Sequence, residues 1–152
     1  MLRQTLNEAL KDAMRAKDQR TVATVRLIIA ALKDRDIAAR TRGQMDGVDD
    51  AEILAMLQTM VKQRRESIIM YEQGGRQELA QQEAEEITVI ENFLPQQLDE
   101  AATRDAIAAL IAEIGATGVK DMGKVMAELR GRFAGQMDFT KASAIVREKL
   151  VS

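Results

Sequence analysis

The sequence predicts an all-α protein, and both its composition and its hydrophobic patterning support that fold class. Aromatic residues make up 3% of the 152 residues, against 46% hydrophobic residues that are mainly aliphatic, and this composition favours helix over sheet. Apolar residues also recur at the three- and four-residue spacing of amphipathic helices. We expect an N-terminal four-helix bundle-like domain at residues 1–94 and a small C-terminal three-helix module at residues 95–152.

The first helix is predicted at about residues 2–17, and the second follows Asp18, which is a favourable N-cap residue. The second helix weakens in the polar run 40–46, where Gly43 and Gly47 break it. The residues expected to face inward are Leu2, Leu6, Leu10 and Met14 in the first helix, and Val22, Val25, Ile29 and Leu32 in the second.

The third helix begins after Asp49 or Asp50 and ends at the glycine pair 74–75, because glycine tolerates the left-handed conformation of a helix end. Its polar run 63–66 places Arg64 at the apolar seam, where an arginine pairs with an acid or extends to solvent. The methionines expected to fill gaps in the core are Met56, Met60, Met70, Met122 and Met126.

The fourth helix spans about residues 77–93 and carries Glu86 on the same face as Ile90 and Phe93. We therefore expect Glu86 to be partly buried and paired with a basic side chain from the first or second helix. The only proline, Pro95, lacks a backbone donor and disfavours helix before it, so it is the predicted domain boundary.

Three short helices are predicted beyond the proline. The first follows Asp99 and ends at Gly115, the second begins near residues 117–118, and the last follows Asp138. Gly123, in the second of these helices, is expected to allow a neighbouring helix or a ligand to approach closely.

Charge is distributed unevenly along the chain. Residues 1–42 hold ten Lys and Arg against five Asp and Glu, a net charge of +5, whereas residues 43–94 hold four against eleven, a net charge of −7. The two halves of the bundle are therefore expected to pack as complementary pairs. Residues 117–152 hold seven basic against four acidic residues, and this local excess of +3 suits contact with phosphates.

The composition excludes most catalytic apparatus, since the chain has neither cysteine nor histidine. Thiolate and imidazole chemistry and Cys/His zinc sites are therefore absent. The string 118–125 has the glycine and lysine spacing of a phosphate-binding loop, but Val125 stands where a Ser or Thr hydroxyl is needed and no strand precedes it. We expect no cofactor and no metal.

No membrane segment is expected, because the longest apolar stretch, residues 22–32, is too short and contains Arg26. The N-terminus also lacks the apolar segment of a signal peptide. Together with the absence of cysteine, these features predict a cytoplasmic protein.

Several strings of residues are similar to a known family. Residues 92–98 read Asn-Phe-Leu-Pro-Gln-Gln-Leu, and residues 120–126 read Lys-Asp-Met-Gly-Lys-Val-Met. Together with Gly115-Ala116-Thr117 they resemble the signature of the YqeY family of small bacterial proteins. The resemblance covers nearly the whole chain and includes residues 6–15 and 63–67. One departure lies at residues 136–140, where the family typically reads closer to Arg-Ala-Asp-Gly-Lys.

This resemblance implies an all-α protein whose C-terminal module is similar to the tail domain of the GatB subunit of the glutamine-dependent tRNA amidotransferase. In that enzyme the tail is associated with holding the tRNA, and other domains carry the chemistry. The resemblance thus implies a non-catalytic tRNA-binding or tRNA-handling accessory. The residues expected to contact phosphates are Lys120, Lys124, Arg130, Arg132, Arg147 and Lys149.

Two alternatives remain open at this point. The first is an adaptor that docks on a tRNA enzyme, such as a tRNA-modifying or amidotransferase protein, through the acidic third and fourth helices or through a methionine-bearing surface. The second is the carbon-nitrogen ligase activity, with glutamine as amido donor, whose label the family often carries. No nucleophile with a base, metal set or nucleotide loop supports that activity in the sequence.

Overall fold

The computed structural model describes residues 1–151, and all regular secondary structure within them is helical. Seven α-helices and one short 3-10 turn, Val119–Asp121, make up this described part, which contains no strand. The all-α prediction is therefore confirmed. The helices are α1 Leu2–Ala16, α2 Gln19–Arg40, α3 Asp50–Gln73, α4 Gln77–Glu91, α5 Glu100–Ile114, α6 Met122–Arg132 and α7 Phe139–Val151.

The fold divides after Pro95 into two compact units, each with its own core. The first unit holds α1–α4, in which α1 packs on α2, α2 packs on α4, and α3 packs mainly on α4. The second unit begins at Gln96, and in it α5, α6 and α7 pack on one another. Fully buried residues at the two centres are Leu6, Ile28, Ile53, Leu57 and Ile90, and Ile107, Leu129, Met137 and Val146.

The inward face of several helices differs from the predicted stripe. Met14 is 51% exposed and Ala13 is buried, because Ala13 lies two helical turns from the buried Leu6 and shares its face. On α2, Val25 and Leu32 are buried as predicted, but Ile28 takes the central position expected of Ile29, which lies half-buried at the edge of the core. Met70 is 72% exposed, because the buried residues of α3 end at Val61.

Aspartate side chains cap four of the helices, as the sequence predicted. The carboxylates of Asp18, Asp49 and Asp99 each accept the backbone N–H three residues further on, at 3.2, 2.9 and 2.7 Å. Asp138 accepts the N–H of Thr140 at 2.9 Å. Each of these bonds satisfies a donor that the first turn of a helix leaves unpaired, so the helix starts are fixed locally.

A clasp made by Arg3 and Asp36 joins the start of α1 to the end of α2. Both terminal nitrogens of Arg3 donate to the Asp36 carboxylate. The two side chains also bind both backbone polar groups of Val48 in the following loop: Arg3 donates to the Val48 carbonyl at 2.7 Å, and the Val48 N–H donates to Asp36 at 2.9 Å. Val48 itself is buried in the first core.

The clasp leaves no room for a side chain at Gly47. This residue has a φ of +90°, and a Cβ there would lie 2.5 Å from an Asp36 carboxylate oxygen and 2.7 Å from an Arg3 nitrogen. We expect Gly47→Ala to lower the free energy of unfolding by about 3 kcal/mol, as backbone strain adds to disruption of the charged pair.

The matched control for this substitution is Gly43→Ala, since Gly43 has a φ of +85° but a Cβ there would meet no atom within 4 Å. Gly43→Ala should lower the free energy of unfolding by only about 1 kcal/mol, which is the cost of placing a Cβ on a left-handed backbone. Urea unfolding of both variants measures the difference. Equal losses would show that the clasp does not confine Gly47.

Asp36 also links stability to acid pH. The hydrogen bond from Arg3 holds the pKa of Asp36 below its ordinary value, and the Val48 N–H lowers it further. A carboxyl with a lowered folded pKa stabilises the fold above its unfolded pKa, and this contribution is lost as pH falls through the folded pKa.

We therefore expect Asp36→Asn to remove part of the stability loss that the protein shows on acidification. Urea unfolding of both proteins between about pH 5 and pH 2 measures this difference. The free energy of unfolding of the variant should change less over this range than that of the wild type. Parallel curves would contradict the assignment.

A buried ion pair joins α3 to α4. Arg64 Nε lies 2.9 Å from an oxygen of Glu86, whose residue is 8% exposed. Arg64 thus pairs with an acid, as predicted, but the hydrogen-bonding partner of Glu86 comes from α3, and Arg20 of α2 lies farther away at 3.9 Å. Burial and the charge of Glu86 raise the pKa of the neighbouring Glu83.

Arg64→Met tests the cost of breaking this pair. It should lower the free energy of unfolding by about 3 kcal/mol, because it leaves the Glu86 charge buried without its hydrogen-bonding partner. Arg65→Met is the control, since Arg65 is 63% exposed and pairs with the exposed Glu91 at 3.4 Å. It should cost less than about 1 kcal/mol in urea unfolding. Similar losses in the two variants would argue against a special role for the buried pair.

Candidate nucleic-acid interface

The segment before α6 is held in place by Asp121. Its carboxylate accepts the backbone N–H of Thr117 at 2.9 Å. This hydrogen bond, together with one from the Gly118 N–H and the charges of Lys120 and Lys124, holds the pKa of Asp121 below its ordinary value. The sequence predicted Asp121 in the first turn of this helix but gave no sign of its bond to Thr117. The result is a short, fixed turn that leads into α6.

Lys120 and Lys124 lie on this turn and on the first turn of α6, and both are exposed. Within residues 1–151 neither lysine makes a salt bridge, although the charges of both act on Asp121. The three side chains together carry a net charge of +1 at neutral pH. The arrangement presents two solvated ammonium groups beside a rigid backbone, which suits phosphate oxygens.

Arg130 lies on α6, two residues before its end, and faces α7. Its guanidinium carbon is 5.8 Å from the centre of the Phe139 ring, within the range of a cation–π contact. Arg130 is exposed and Phe139 is half-buried. The contact orients the guanidinium and leaves its charge available at the surface.

Arg132 has a different environment from the other predicted cations. Its two terminal nitrogens lie 2.6 and 3.1 Å from the two carboxylate oxygens of Glu113 on α5, and its Nε lies 3.2 Å from Glu128. These bonds lower the pKa of Glu113. Since helix geometry separates Arg130 and Arg132 by about 160°, they lie on opposite flanks of α6. The charge of Arg132 is balanced within the protein, where it joins α5 to α6.

The remaining two predicted cations, Arg147 and Lys149, lie on α7. Arg147 is exposed and lines an open groove of about 620 Å³ with Thr140 and Ser143, whereas Lys149 is half-buried. The structure therefore brings Lys120 and Lys124 together at the start of α6 and distributes the other four cations over α6 and α7.

Two glycine-containing segments of the second unit were singled out in the sequence, at Gly123 and at residues 135–140. A Cβ at Gly123 would meet no atom within 4 Å, so the prediction of a close neighbouring helix there was wrong. At the departure from the family pattern, the Gln136 carbonyl accepts the Leu98 N–H at 2.8 Å, and Gln97 donates to the Gly135 carbonyl. This turn therefore holds the segment that enters α5.

A metal site and a membrane-spanning helix were also sought among the described residues. Residues 1–151 contain no group of three or more Asp or Glu side chains placed to hold a metal ion. No helix in this range combines the length and apolar character needed to cross a membrane.

Comparison with known proteins gives a consistent set of relatives. The chain is 30% identical over 151 residues to the Eremothecium gossypii protein named altered inheritance of mitochondria protein 41, mitochondrial, and the match covers 97% of this chain and 79% of that protein. It is 28% identical over 109 residues to the Kluyveromyces lactis protein of the same name, covering 72% of this chain but only 56% of that protein.

These relatives are yeast proteins with mitochondrial names, so the family is not confined to bacteria as the sequence resemblance implied. The cytoplasmic location expected from the sequence stays a prediction. Residues 3–150 match the family described as Yqey-like protein. This match spans nearly all of the chain and confirms the resemblance, and the chain therefore belongs to the Yqey-like protein family.

Proposed function

We propose that this protein is a non-catalytic accessory that binds tRNA through the phosphate backbone, using the start of α6 in its second unit. The observation that carries this proposal is the pair of exposed lysines, Lys120 and Lys124, beside the turn that Asp121 fixes. Arg130, Arg147 and Lys149 add positive charge to the same unit, on α6 and α7. Arg132 supports it indirectly, because its bonds to Glu113 hold α5 against α6.

Backbone contact is the mode of recognition that this chain can supply. The protein has three phenylalanines, one tyrosine and no tryptophan, so it offers few surfaces on which bases can stack. Lysines on a rigid turn would instead bind phosphates at fixed positions, and this kind of contact recognises the shape of a folded RNA. The overall charge of −2 restricts this contact to one local surface.

The likeness of the C-terminal residues to the GatB tail suggests that the RNA is a tRNA and that the protein acts with an enzyme of tRNA metabolism. On this proposal the second unit is a three-helix tail-like domain, the first is a four-helix bundle, and the protein acts in the cytoplasm beside a tRNA-modifying or amidotransferase enzyme. The carbon-nitrogen ligase label then describes kinship, since a chain without cysteine or histidine lacks the usual nucleophiles and bases of that chemistry.

The adaptor hypothesis is the second candidate function, and exposed apolar residues favour it. Ile69 and Met70 are 56% and 72% exposed near the end of α3, on the acidic half of the first unit. A stoichiometric protein partner that survives nuclease treatment, and that no longer binds the Met70→Glu variant, would support this hypothesis over RNA binding.

Titration of labelled total tRNA with the 152-residue protein at several salt concentrations tests the RNA proposal. We expect binding that weakens steeply with salt, because each bound phosphate releases counterions. Replacing Lys120 and Lys124 together by glutamine should weaken binding to all tRNAs alike. It should also make the log-log salt slope shallower by roughly 0.9 for each phosphate that the variant no longer neutralises.

The control removes the same charge elsewhere. Lys11 and Lys62 are exposed lysines of the first unit, and their joint replacement by glutamine should leave the salt slope unchanged. Equal effects of the two double variants would show that net charge, and not the α6 turn, governs binding. Absence of binding at low salt would refute the proposed function itself.

A further inference from the structure

A concave surface lies where α1 turns into α2, in the first unit. It is an open groove of about 460 Å³, and both helices and the turn between them line it. Its apolar floor comes from Met14, Val22 and Ala23, and its rim carries Lys17 and Arg26. Met14 is 51% exposed, although α1 buries Ala13 next to it.

The apolar floor continues along α2 beyond the groove. The buried face of α2 includes Val25, Ile28 and Leu32. A second apolar stripe runs along its opposite, exposed face, where Leu27 and Ile37 are 47% and 51% exposed. The members of this stripe are Ala23, Leu27, Ala30 and Ile37. Packing within the first unit explains only one of the two apolar faces, and an exposed apolar face of this kind is typical of an interaction surface.

The cations at the rim have no acidic partner in residues 1–151, where neither Lys17 nor Arg26 makes a salt bridge. The α2 residues three and four positions from Arg26 are all uncharged. The nearest aspartate in sequence to Lys17 is Asp18, and its carboxylate is already bonded to the N–H and hydroxyl of Thr21 at 3.2 and 2.7 Å. The groove therefore combines an apolar floor with uncompensated positive charge.

Lys17 occupies a backbone position that favours glycine. It has a φ of 58° and a ψ of 33°, and among residues 1–151 it is the only non-glycine residue with positive φ. The Asp18 N–H bonds to the Ala13 carbonyl at 3.0 Å, which is the helix-ending geometry where glycine is usual. A lysine here costs stability that a glycine would not, and in return it places a cation at the rim of the groove.

We propose that this groove is a docking site for an acidic amphipathic helix of a protein partner. The apolar ridge of such a helix would bury Met14, Val22 and Ala23, and its flanking carboxylates would pair with Lys17 and Arg26. Charge complementarity selects an acidic partner, since Lys17 and Arg26 stand at the rim of the groove and make no salt bridge within residues 1–151. The concave shape fits a helix ridge better than a flat lipid surface. The site lies in the first unit and does not depend on RNA binding at α6.

Fluorescence anisotropy with a labelled 18-residue peptide tests the proposal on the 152-residue protein. The probe is a helix with leucine on one face and glutamate on both flanks, and its counterpart has lysine in place of every glutamate. The acidic peptide should bind saturably at low salt, and the basic peptide should bind at least about tenfold more weakly.

Two variants separate docking from stability. Arg26→Gln and Lys17→Gly should each weaken binding of the acidic peptide about threefold. Lys17→Gly should at the same time raise the Tm by about 2 to 4 °C, because glycine relieves the left-handed backbone. Lys62→Gln, which removes an exposed lysine on α3, should leave peptide affinity unchanged.

Four outcomes would overturn the proposal. The first is no saturable binding of the acidic peptide, and the second is equal binding of the acidic and basic peptides. The third is undiminished binding of the acidic peptide by the Lys17 and Arg26 variants. The fourth is binding of the protein to phosphatidylserine vesicles that Arg26→Gln abolishes and that displaces the peptide. That result would assign the groove to lipid.

Discussion

Hydrogen bonds from backbone amides to aspartate carboxylates fix where most of the helices begin. Asp18, Asp49, Asp99 and Asp138 cap α2, α3, α5 and α7, and Asp121 closes the turn that leads into α6. This constraint matters because the chain has few aromatic side chains and no disulfide to hold its parts together. Aliphatic packing gives the two cores their stability, whereas the caps determine which residues stand at the helix ends.

Ion pairs then join helices that the caps have positioned. In the first unit Arg64 and Glu86 connect α3 to α4 across a site largely shielded from water, where an unpaired charge would be costly. In the second unit Arg132 connects α5 to α6 through Glu113. Cations used in this way are structural, whereas Lys120 is exposed and makes no salt bridge within residues 1–151. The proposed function depends on this difference between cations that are paired with carboxylates inside the protein and cations that are exposed to solvent.

Features set by neighbouring residues could be predicted from the sequence, including the all-α class, the aspartate caps and the end of α5 at Gly115. Features that join distant residues could not. The clasp joins Arg3 to Asp36 across 33 positions, and although the sequence marks Gly47 as a break after α2, no local pattern shows that the clasp excludes a side chain there. In the candidate site, charge counts could identify Arg132 as basic, but only packing shows that Glu113 neutralises it.

NMR of the ¹⁵N-labelled 152-residue protein tests most directly the proposal that tRNA contacts the turn before α6. Titration with unlabelled total tRNA should shift or broaden the backbone amide signals of Thr117 to Lys124 first, and these changes should reverse on addition of salt. Signals from α1 and α2 should change little at the same tRNA concentration. No change in the 117–124 segment, or changes confined to the first unit, would contradict the account.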